Sequence, residues 1–536
     1  MSNDRIHIKD ISKKTDRLFQ LDTAKLPKLP YPYQDWEDPP FEELPETKKD
    51  RDSSLDGYMN VQIKVPETEQ EKEELVIKFL GALRKLLSKD NNWPFLRPLM
   101  LSLDNCVKCN TCSEACPIFE SSGRAEIYRP LFRSDILRRI INKHVKPGGK
   151  LTAKFTGSDI DLNWETVARL GQLAYRCTLC RRCAQTCPMG VDNGLLSREI
   201  RKLFSQELGI SPQELHADGT LKQLETGSST GISPVALMDL MEFAEEDMKD
   251  RTGLDIKLPF DKAGADVLLI HNAGEFLSWP ENLQAFAIIF EAAGINWTMS
   301  SEMVGYDSVN YGLFYDDTQY ARVTLKHAEV ARKLGVKKVV VGECGHAHKA
   351  IMAIGDRIWL SESNIPRESC MATLEDIVMN EKIMVDPERN NFPVTTHDPC
   401  NMTRSMGIIE PQRRILRKIA PQFREMTPHG VHNYCCGGGS GFAIMSSHNF
   451  PQWKYLVSGR KKFGQIVGAF TREELDPSVN KYVCAPCSNC KGQIRDLLTY
   501  YEAYDRCRIL YGGLVELIVN AMPDVREGFI EWDDFH

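Results

Sequence analysis

The sequence predicts an α+β multidomain chain, a helical domain built around two cysteine repeats followed by a duplicated α/β unit. Three observations carry this. The pattern Cys106-x2-Cys109-x2-Cys112-x3-Cys116-Pro117 recurs as Cys177-x2-Cys180-x2-Cys183-x3-Cys187-Pro188. From Ala265 onward short apolar strands alternate with helical stretches, and that order repeats from Val394. A chain of 536 residues exceeds a single core. The expected segments are 1–95, 96–205, 206–260, 261–390 and 391–536.

Composition narrows the function. A net charge of −7 argues against nucleic acid as the main partner. No run of about 18 apolar residues occurs, and Met1-Ser2-Asn3-Asp4-Arg5 has no hydrophobic stretch, so the expectation is a soluble, unexported chain without a transmembrane segment of its own. The 17 cysteines are odd in number and lack a secretion signal, which favours metal ligation over disulfides.

Residues 1–65 are polar and proline-rich, and Tyr31, Tyr33, Trp36 and Phe41 would serve no purpose in a solvated tail. They predict an extended arm laid across a partner. Leu75, Phe79, Leu80, Leu83 and Leu86 recur at helical spacing over Thr68–Leu87, with Thr68 and Glu71 in capping-box register. The cysteine repeats that follow have the two-cluster ferredoxin spacing, in which the fourth cysteine of one motif reaches the other cluster. Cys106, Cys109, Cys112 and Cys187 are expected to hold one 4Fe–4S cubane, and Cys177, Cys180, Cys183 and Cys116 the second. Zinc is the rival metal, but two complete four-cysteine repeats each ending in proline disfavour it. Tyr128–Lys143 and Trp164–Arg176 read as helices between and around the motifs. Arg176, Arg181 and Arg182 read either as tuning the second cluster and binding an acidic partner or as a solvated basic face. Thr226–Gly231 is the clearest linker signal, and Pro234–Lys249 reads as a helix.

In the C-terminal half, strands are expected at Asp266–Ile270, Asn296–Met299 and Lys338–Val341, with helices at Asn282–Ala293 and Thr318–Leu334. Leu269-Ile270-His271-Asn272 matches Thr395-Thr396-His397-Asp398, and Val339–Cys344 matches Lys481–Cys487. Gly274 stands where Cys400 stands in the second copy, and no Cys-Cys pair occurs between Trp297 and Tyr320. The first copy is therefore worn. Cys400, Cys435, Cys436, Cys487 and Cys490 should converge at the strand ends, with Cys344 entering from the worn copy. Adjacent Cys435 and Cys436 cannot form an ordinary disulfide with each other. They can offer two thiolates to a cluster. Cys370 and Cys507 read as lone buried hydrophobes. The run Arg413–Lys418 reads as a solvated helix face or a steering patch, and the acidic end Glu531–His536 as a docking candidate.

The Cys400-x34-Cys435-Cys436-Gly437…Cys487-x2-Cys490 pattern resembles the cysteine-rich CCG domain of heterodisulfide reductases. With the ferredoxin motifs, the chain from about Leu96 resembles the fused HdrD-like subunits of that family. Glu343-Cys344-Gly345-His346-Ala347 and the arm are most similar to its DsrK-like branch, from membrane-bound DsrMKJOP complexes. The extra Cys484 departs from the pattern and leaves open which two of Cys484, Cys487 and Cys490 ligate iron. The resemblance implies two cubanes and one special catalytic 4Fe–4S cluster drawing on Cys344, Cys400, Cys435, Cys436, Cys484, Cys487 and Cys490. It also implies a membrane cytochrome b partner (DsrM-like) with other complex subunits, and a small DsrC-like sulfur-carrier protein whose disulfide or trisulfide is the substrate. Such a chain would sit peripherally on the cytoplasmic face of the inner membrane.

His346, His348 and His397 are the candidates for delivering protons to thiolate products. The competing expectation is a relay between a flavoprotein and quinone, as in the similar iron–sulfur subunits of glycolate, lactate and glycerol-3-phosphate dehydrogenases. No GxGxxG follows a strand here, so a flavin would reside on another subunit. A scaffold with structural clusters is the third reading.

Overall fold

Each cysteine repeat winds through two left-handed residues at the same offsets, Lys108 and Asn110 in the first copy and Leu179 and Arg181 in the second. A left-handed residue tightens the chain so that successive cysteines face one centre, and non-glycine side chains adopt it only where the loop is held. These loops belong to a computed structural model that describes residues 6–15, 18–92, 95–360, 364–445, 452–533 and 535. Met1–Arg5 at the N-terminus, and Asp534 and His536 of the acidic end, lie outside the described residues.

The first domain is helical. Leu96–Asp104, Pro130–Ile140, Trp164–Tyr175 and Asn193–Lys202 pack around the two motifs and share one core with Phe79 and Leu83 of the Glu69–Leu86 helix. Thr68 caps that helix by accepting from the Glu71 N–H at 3.1 Å. The Glu71 carboxylate returns not to Thr68 but to the N–H of Glu67, at 2.8 Å.

Two parallel sheets of four strands each follow. The first comprises β1 (Val267–Ile270), β2 (Trp297–Thr298), β3 (Lys338–Val341) and β4 (Arg367–Ser369), in the order β2-β1-β3-β4. The second comprises β5 (Val394–Thr396), β6 (Phe423–Glu425), β7 (Lys481–Cys484) and β8 (Ile509–Gly512), in the order β6-β5-β7-β8. The orders are the same, and so are the registers, Ile270 pairing with Val341 as Thr396 pairs with Cys484. β4, β6 and β8 were not expected. Each is only three or four residues long, and β4 and β6 carry charge, so neither shows the apolar run of a central strand.

The arm differs from expectation in its partner. It lies on the chain's own C-terminal unit. Tyr33 packs edge-on against Phe463 at 5.0 Å between ring centroids, Trp36 against Tyr501 at 5.4 Å, and Asp38 pairs with Arg460 at 2.8 Å. Farther along, the buried Asp56 accepts from Arg176 and from the Tyr128 hydroxyl at 2.9 Å. The arm therefore straps the two halves together. The Thr226–Gly231 linker is likewise packed, with Ser228 bridging to Val304. At the acidic end, Glu531 pairs with Arg251 at 3.2 Å and Phe535 stacks on Tyr504 at 4.9 Å, so this end folds back instead of standing free.

Replacing Tyr33 by Ala should cost about 3 kcal/mol of stability, within the range for emptying a buried aromatic site. The exposed Tyr31→Ala should cost less than about 0.5 kcal/mol. Unfolding midpoints in denaturant compare the two.

Candidate functional site

The repeats bring their cysteines together crosswise. Cys112 lies in the field of Cys106 and Cys187, and Cys116 in that of Cys177 and Cys180, with Cys183 beside all three. Cys109 is exposed, its sulfur 3.3 Å from the Thr111 hydroxyl. Cys116, Cys177, Cys180 and Cys183 line one enclosed cavity, so four thiol donors face a common space. That donor set fits a 4Fe–4S group. The buried Arg133 faces Cys177, Cys116, Cys183 and Cys112, between both sets, while its Nε donates to Ser197 at 2.6 Å. A fixed cation there offsets the negative charge that thiolate-bound clusters carry. Nothing in the spacing of the motifs pointed to it.

From Cys180 the sulfurs continue into the C-terminal unit. The Cys180 thiol lies in the field of Cys435, which in turn neighbours Cys400 and Cys436. Cys436 contacts Cys490, Cys490 contacts Cys487, and Cys487 contacts Cys344 of the first copy. Cys344 and Cys487 start the helical turns after β3 and β7 at the same offset and with nearly the same backbone angles, φ −154° and −166°. They are equivalents across the duplication. Six buried thiols in contact, free of disulfides, suit an iron–sulfur group with a ligand to spare. Cys484 is not among them. The Thr396 hydroxyl donates to its carbonyl at 3.3 Å, and its side chain joins the core behind the sheet.

The three glycines after Cys436 are required by close approach. A Cβ on Gly437 would lie 2.5 Å from Gly459 backbone, on Gly438 2.7 Å from Gln493, and on Gly439 2.8 Å from the Thr178 carbonyl. The loop can thus press against Thr178, inside the second repeat. Two arginines bind the loops to each other. Arg201 donates to the carbonyls of Cys177 at 2.6 Å and Ser440 at 3.1 Å. Arg404 donates to Cys180 at 2.7 Å, Val431 at 2.8 Å and Asn433 at 3.0 Å. The arginines singled out from sequence are also engaged. Arg176 is buried on Asp56, Arg181 pairs with Asp192 at 2.7 Å, and Arg182 donates to the His432 carbonyl at 2.8 Å.

The histidines divide by their partners. His397 lies with Cys436 and Cys490, and His346 with Cys344 and Cys487, each trio within 4.8 Å. His348 is spent on structure, bonded to the Cys344 carbonyl at 2.7 Å and the Ser369 hydroxyl at 2.6 Å. The tautomer of His397 follows from its neighbours. Asn433 Nδ2 donates to the Asp398 carbonyl at 2.9 Å, and Asn433 Oδ1 accepts from the Lys462 ammonium at 2.8 Å. A carbonyl can only accept and an ammonium can only donate, so the amide cannot be flipped. Its Nδ2 then donates to His397 Nδ1 at 3.3 Å, which leaves the ring proton on Nε2, the atom without an oxygen or nitrogen partner. Burial brings Lys462 down to about 7.

Glu343, Glu275 and Glu516 surround Lys491 in the seam between the copies, with Lys491 3.1 Å from Glu275 and 3.4 Å from Glu516. Burial pushes Glu343 up to about 8 and Glu275 up to about 7. In the worn copy His271 stacks on Phe276 at 5.5 Å, and the Tyr306 hydroxyl reaches Ser488 at 3.0 Å. A cavity of about 300 Å³ opens beside the thiols, lined by His346, Lys349, Arg181, Arg198, Phe314 and Ser440 among others.

Within the basic run Arg414 and Arg417 are exposed, as a solvated helix face requires, but Arg413 is not. Arg413 is buried, bidentate to Asp398 at 2.7 and 2.8 Å and bonded to Glu425, while Arg414 pairs with Glu375. Asp398 also accepts from the Gly430 N–H at 2.6 Å, fixing the turn before Cys435. Burial acts to raise Asp398, but Arg413 outweighs it and holds the carboxyl low. With the folded value depressed, the pair's contribution is present above the unfolded value of about 3.9 and is lost as pH falls through the folded one. Arg413→Ala should cost about 3–5 kcal/mol at neutral pH and move the onset of acid unfolding upward, as followed by circular dichroism across pH.

Comparison with known proteins agrees with this arrangement. Residues 102–191 match the family model for a 4Fe-4S dicluster domain, and residues 394–495 match that for a cysteine-rich CCG domain. The Hdr-like menaquinol oxidoreductase iron-sulfur subunit 2 of Archaeoglobus fulgidus is 26% identical, covering 83% of this chain and 83% of its own. A dihydromethanophenazine:CoB--CoM heterodisulfide reductase chain of Methanosarcina acetivorans is 25% identical over 64% of this chain and 79% of its own. An EtfAB:quinone oxidoreductase of Syntrophomonas wolfei is 21% identical over 79% of this chain and 58% of its own. No solved structure matches. The chain is a homologue of the Hdr-like iron–sulfur subunits, an oxidoreductase chain in which a dicluster domain precedes a CCG domain.

Proposed function

We propose that the chain passes electrons through two cubanes to a third, special 4Fe–4S cluster at the CCG thiols, where a disulfide or trisulfide on a small DsrC-like sulfur-carrier protein is reduced, or formed in the reverse direction. The observation that carries this is the unbroken run of thiols from Cys180 through Cys435, Cys436 and Cys490 to Cys487 and Cys344. Bound there, the cluster supplies electrons to sulfur one at a time and holds a thiolate. The electron donor is a membrane cytochrome b subunit of DsrM type within a DsrMKJOP-like complex on the cytoplasmic face. Among the described residues no helix is long and apolar enough to cross a membrane, so membrane electrons have to be handed over by such a partner.

Cleaving a sulfur–sulfur bond consumes two electrons and two protons and yields two thiols. His397 presents its Nε2–H on the Cys436 side and is suited to give one proton, with Asn433 and Lys462 holding its tautomer. His346 lines the cavity and lies with the Cys344–Cys487 pair, and its Nε2 accepts from the Ser440 N–H at 3.4 Å, which places the ring proton on Nδ1. Lys349 and Arg181 give the cavity cationic walls for an anionic substrate segment.

The similarity to an EtfAB:quinone oxidoreductase favours a second reading, a relay between a flavoprotein and quinone. Cys436→Ser decides between them. The reductase reading expects loss of disulfide reduction with both cubane spectra retained, and a disulfide-dependent paramagnetic signal in the unaltered protein only. Activity that survives the substitution, or a third cluster blind to disulfides, leaves the relay. Lys462→Met should slow turnover about 10–100-fold with KM and iron content unchanged, and Lys462→Arg should restore part of the rate.

A further inference from the structure

Between Asp135 and Asp159 the chain carries no carboxylate, yet it holds Arg138, Arg139, Lys143, Lys146, Lys150 and Lys154, in a protein whose net charge is −7. Half of these cations are used internally. Arg138 donates to the carbonyls of Leu103 and Ser102, Arg139 pairs with Asp135 at 3.1 Å, and Lys143 pairs with Asp159 at 2.7 Å. Lys146, Lys150 and Lys154 stand exposed, with no ion pair among the described residues. Between them project Leu151, 83% exposed, and Phe155, 92% exposed, the two most exposed large apolar side chains among the described residues.

This segment holds a defined shape. Gly148 is left-handed at φ +70°, and a Cβ on Gly149 would lie 2.0 Å from the Asn142 carbonyl, so the chain turns tightly into the Gly149–Thr152 helical turn. Ala153 is buried and bonded back to the Gly149 carbonyl at 2.9 Å, and Asn142 ties down Ser158 at 3.2 Å. Leu151 and Phe155 are four residues apart and so leave on one side of the turn, as do Lys150 and Lys154. Holding a phenylalanine and a leucine in water is unfavourable, and an acidic protein surface would answer the lysines but not the apolar tips. A bilayer interface answers both, headgroups taking the ammonium groups and the acyl boundary the two side chains.

We propose that the 146–156 turn docks the chain directly on an anionic lipid surface, Leu151 and Phe155 entering the acyl boundary and Lys146, Lys150 and Lys154 meeting the headgroups. Docking of this kind is independent of the reaction at the CCG thiols. It also orients the molecule. The turn follows the Pro130–Ile140 helix, which carries Arg133 between the two cubane sites, so the docked face places the ferredoxin domain toward the bilayer.

The test is co-sedimentation of the full, anaerobically purified chain with vesicles of phosphatidylglycerol and phosphatidylcholine in equal parts, and with phosphatidylcholine alone, at low and high salt. Binding to the anionic vesicles, weakened by salt and reduced about ten-fold or more by Leu151→Ser/Phe155→Ser and by Lys146→Gln/Lys150→Gln/Lys154→Gln, with visible cluster absorbance unchanged in both variants, is the expected result. Three outcomes overturn it. The unaltered chain could fail to bind anionic vesicles, the variants could bind as well as it does, or neutral vesicles could bind equally. If the first occurs while the same variants block assembly with membrane subunits, the turn is a protein contact instead.

Discussion

The arrangement depends on a few charged donors that bind two cysteine loops to each other from inside the protein. Arg201 and Arg404 each reach from one loop to the other through backbone carbonyls. Arg201 is fully buried, so moving either loop off its carbonyls would leave a buried guanidinium unsatisfied at a large cost. Glycine at positions 437–439 then lets the second loop close on Thr178. Position, more than affinity, is what these residues supply. A redox chain needs its stations near each other, and here neighbouring stations are held by the same side chains.

The duplication explains why the thiols gather in only one copy. Both copies present a cysteine at the end of their third strand, and the two cysteines meet across the seam. The other positions of the first copy hold residues of different chemistry. His271 is stacked and close to Glu275, Tyr306 is bonded to Ser488, and Asn310 donates to the Cys344 sulfur at 3.6 Å. The worn copy therefore forms a wall beside its twin's thiols and adds Cys344 to them. Its buried carboxylates, held around Lys491, form the back of that wall.

Much of this was legible in the sequence because it is local. Cysteine spacing marks the dicluster domain, the strand and helix alternation gives the sheets, and the matched His271 and His397 give the repeat. What was not legible depends on partners distant in the chain. Asp56 and Arg176 are far apart in sequence, and so are Tyr33 and Phe463. Nothing near Lys462 marks it as a neighbour of His397. Arg413 departs from the rest of its basic run for the same reason. Helical spacing shows which residues share a face, but only the fold shows that Asp398 and Glu425 wait opposite Arg413. Spacing left open the choice among Cys484, Cys487 and Cys490, because only the fold shows that Cys484 packs in one core cluster and Cys487 and Cys490 in another.

The Cys180 thiol neighbours Cys435, so a sulfur of the dicluster domain and one of the CCG domain lie in each other's field. No insulating layer separates them. An electron or proton added on one side changes the field on the other at once, and titration of either follows the state of its neighbour. Apparent midpoints then belong to the joined pair and not to a single station. Redox titrations of this chain should be fitted as a ladder of joint states, in which filling the first rung changes the spacing of the next.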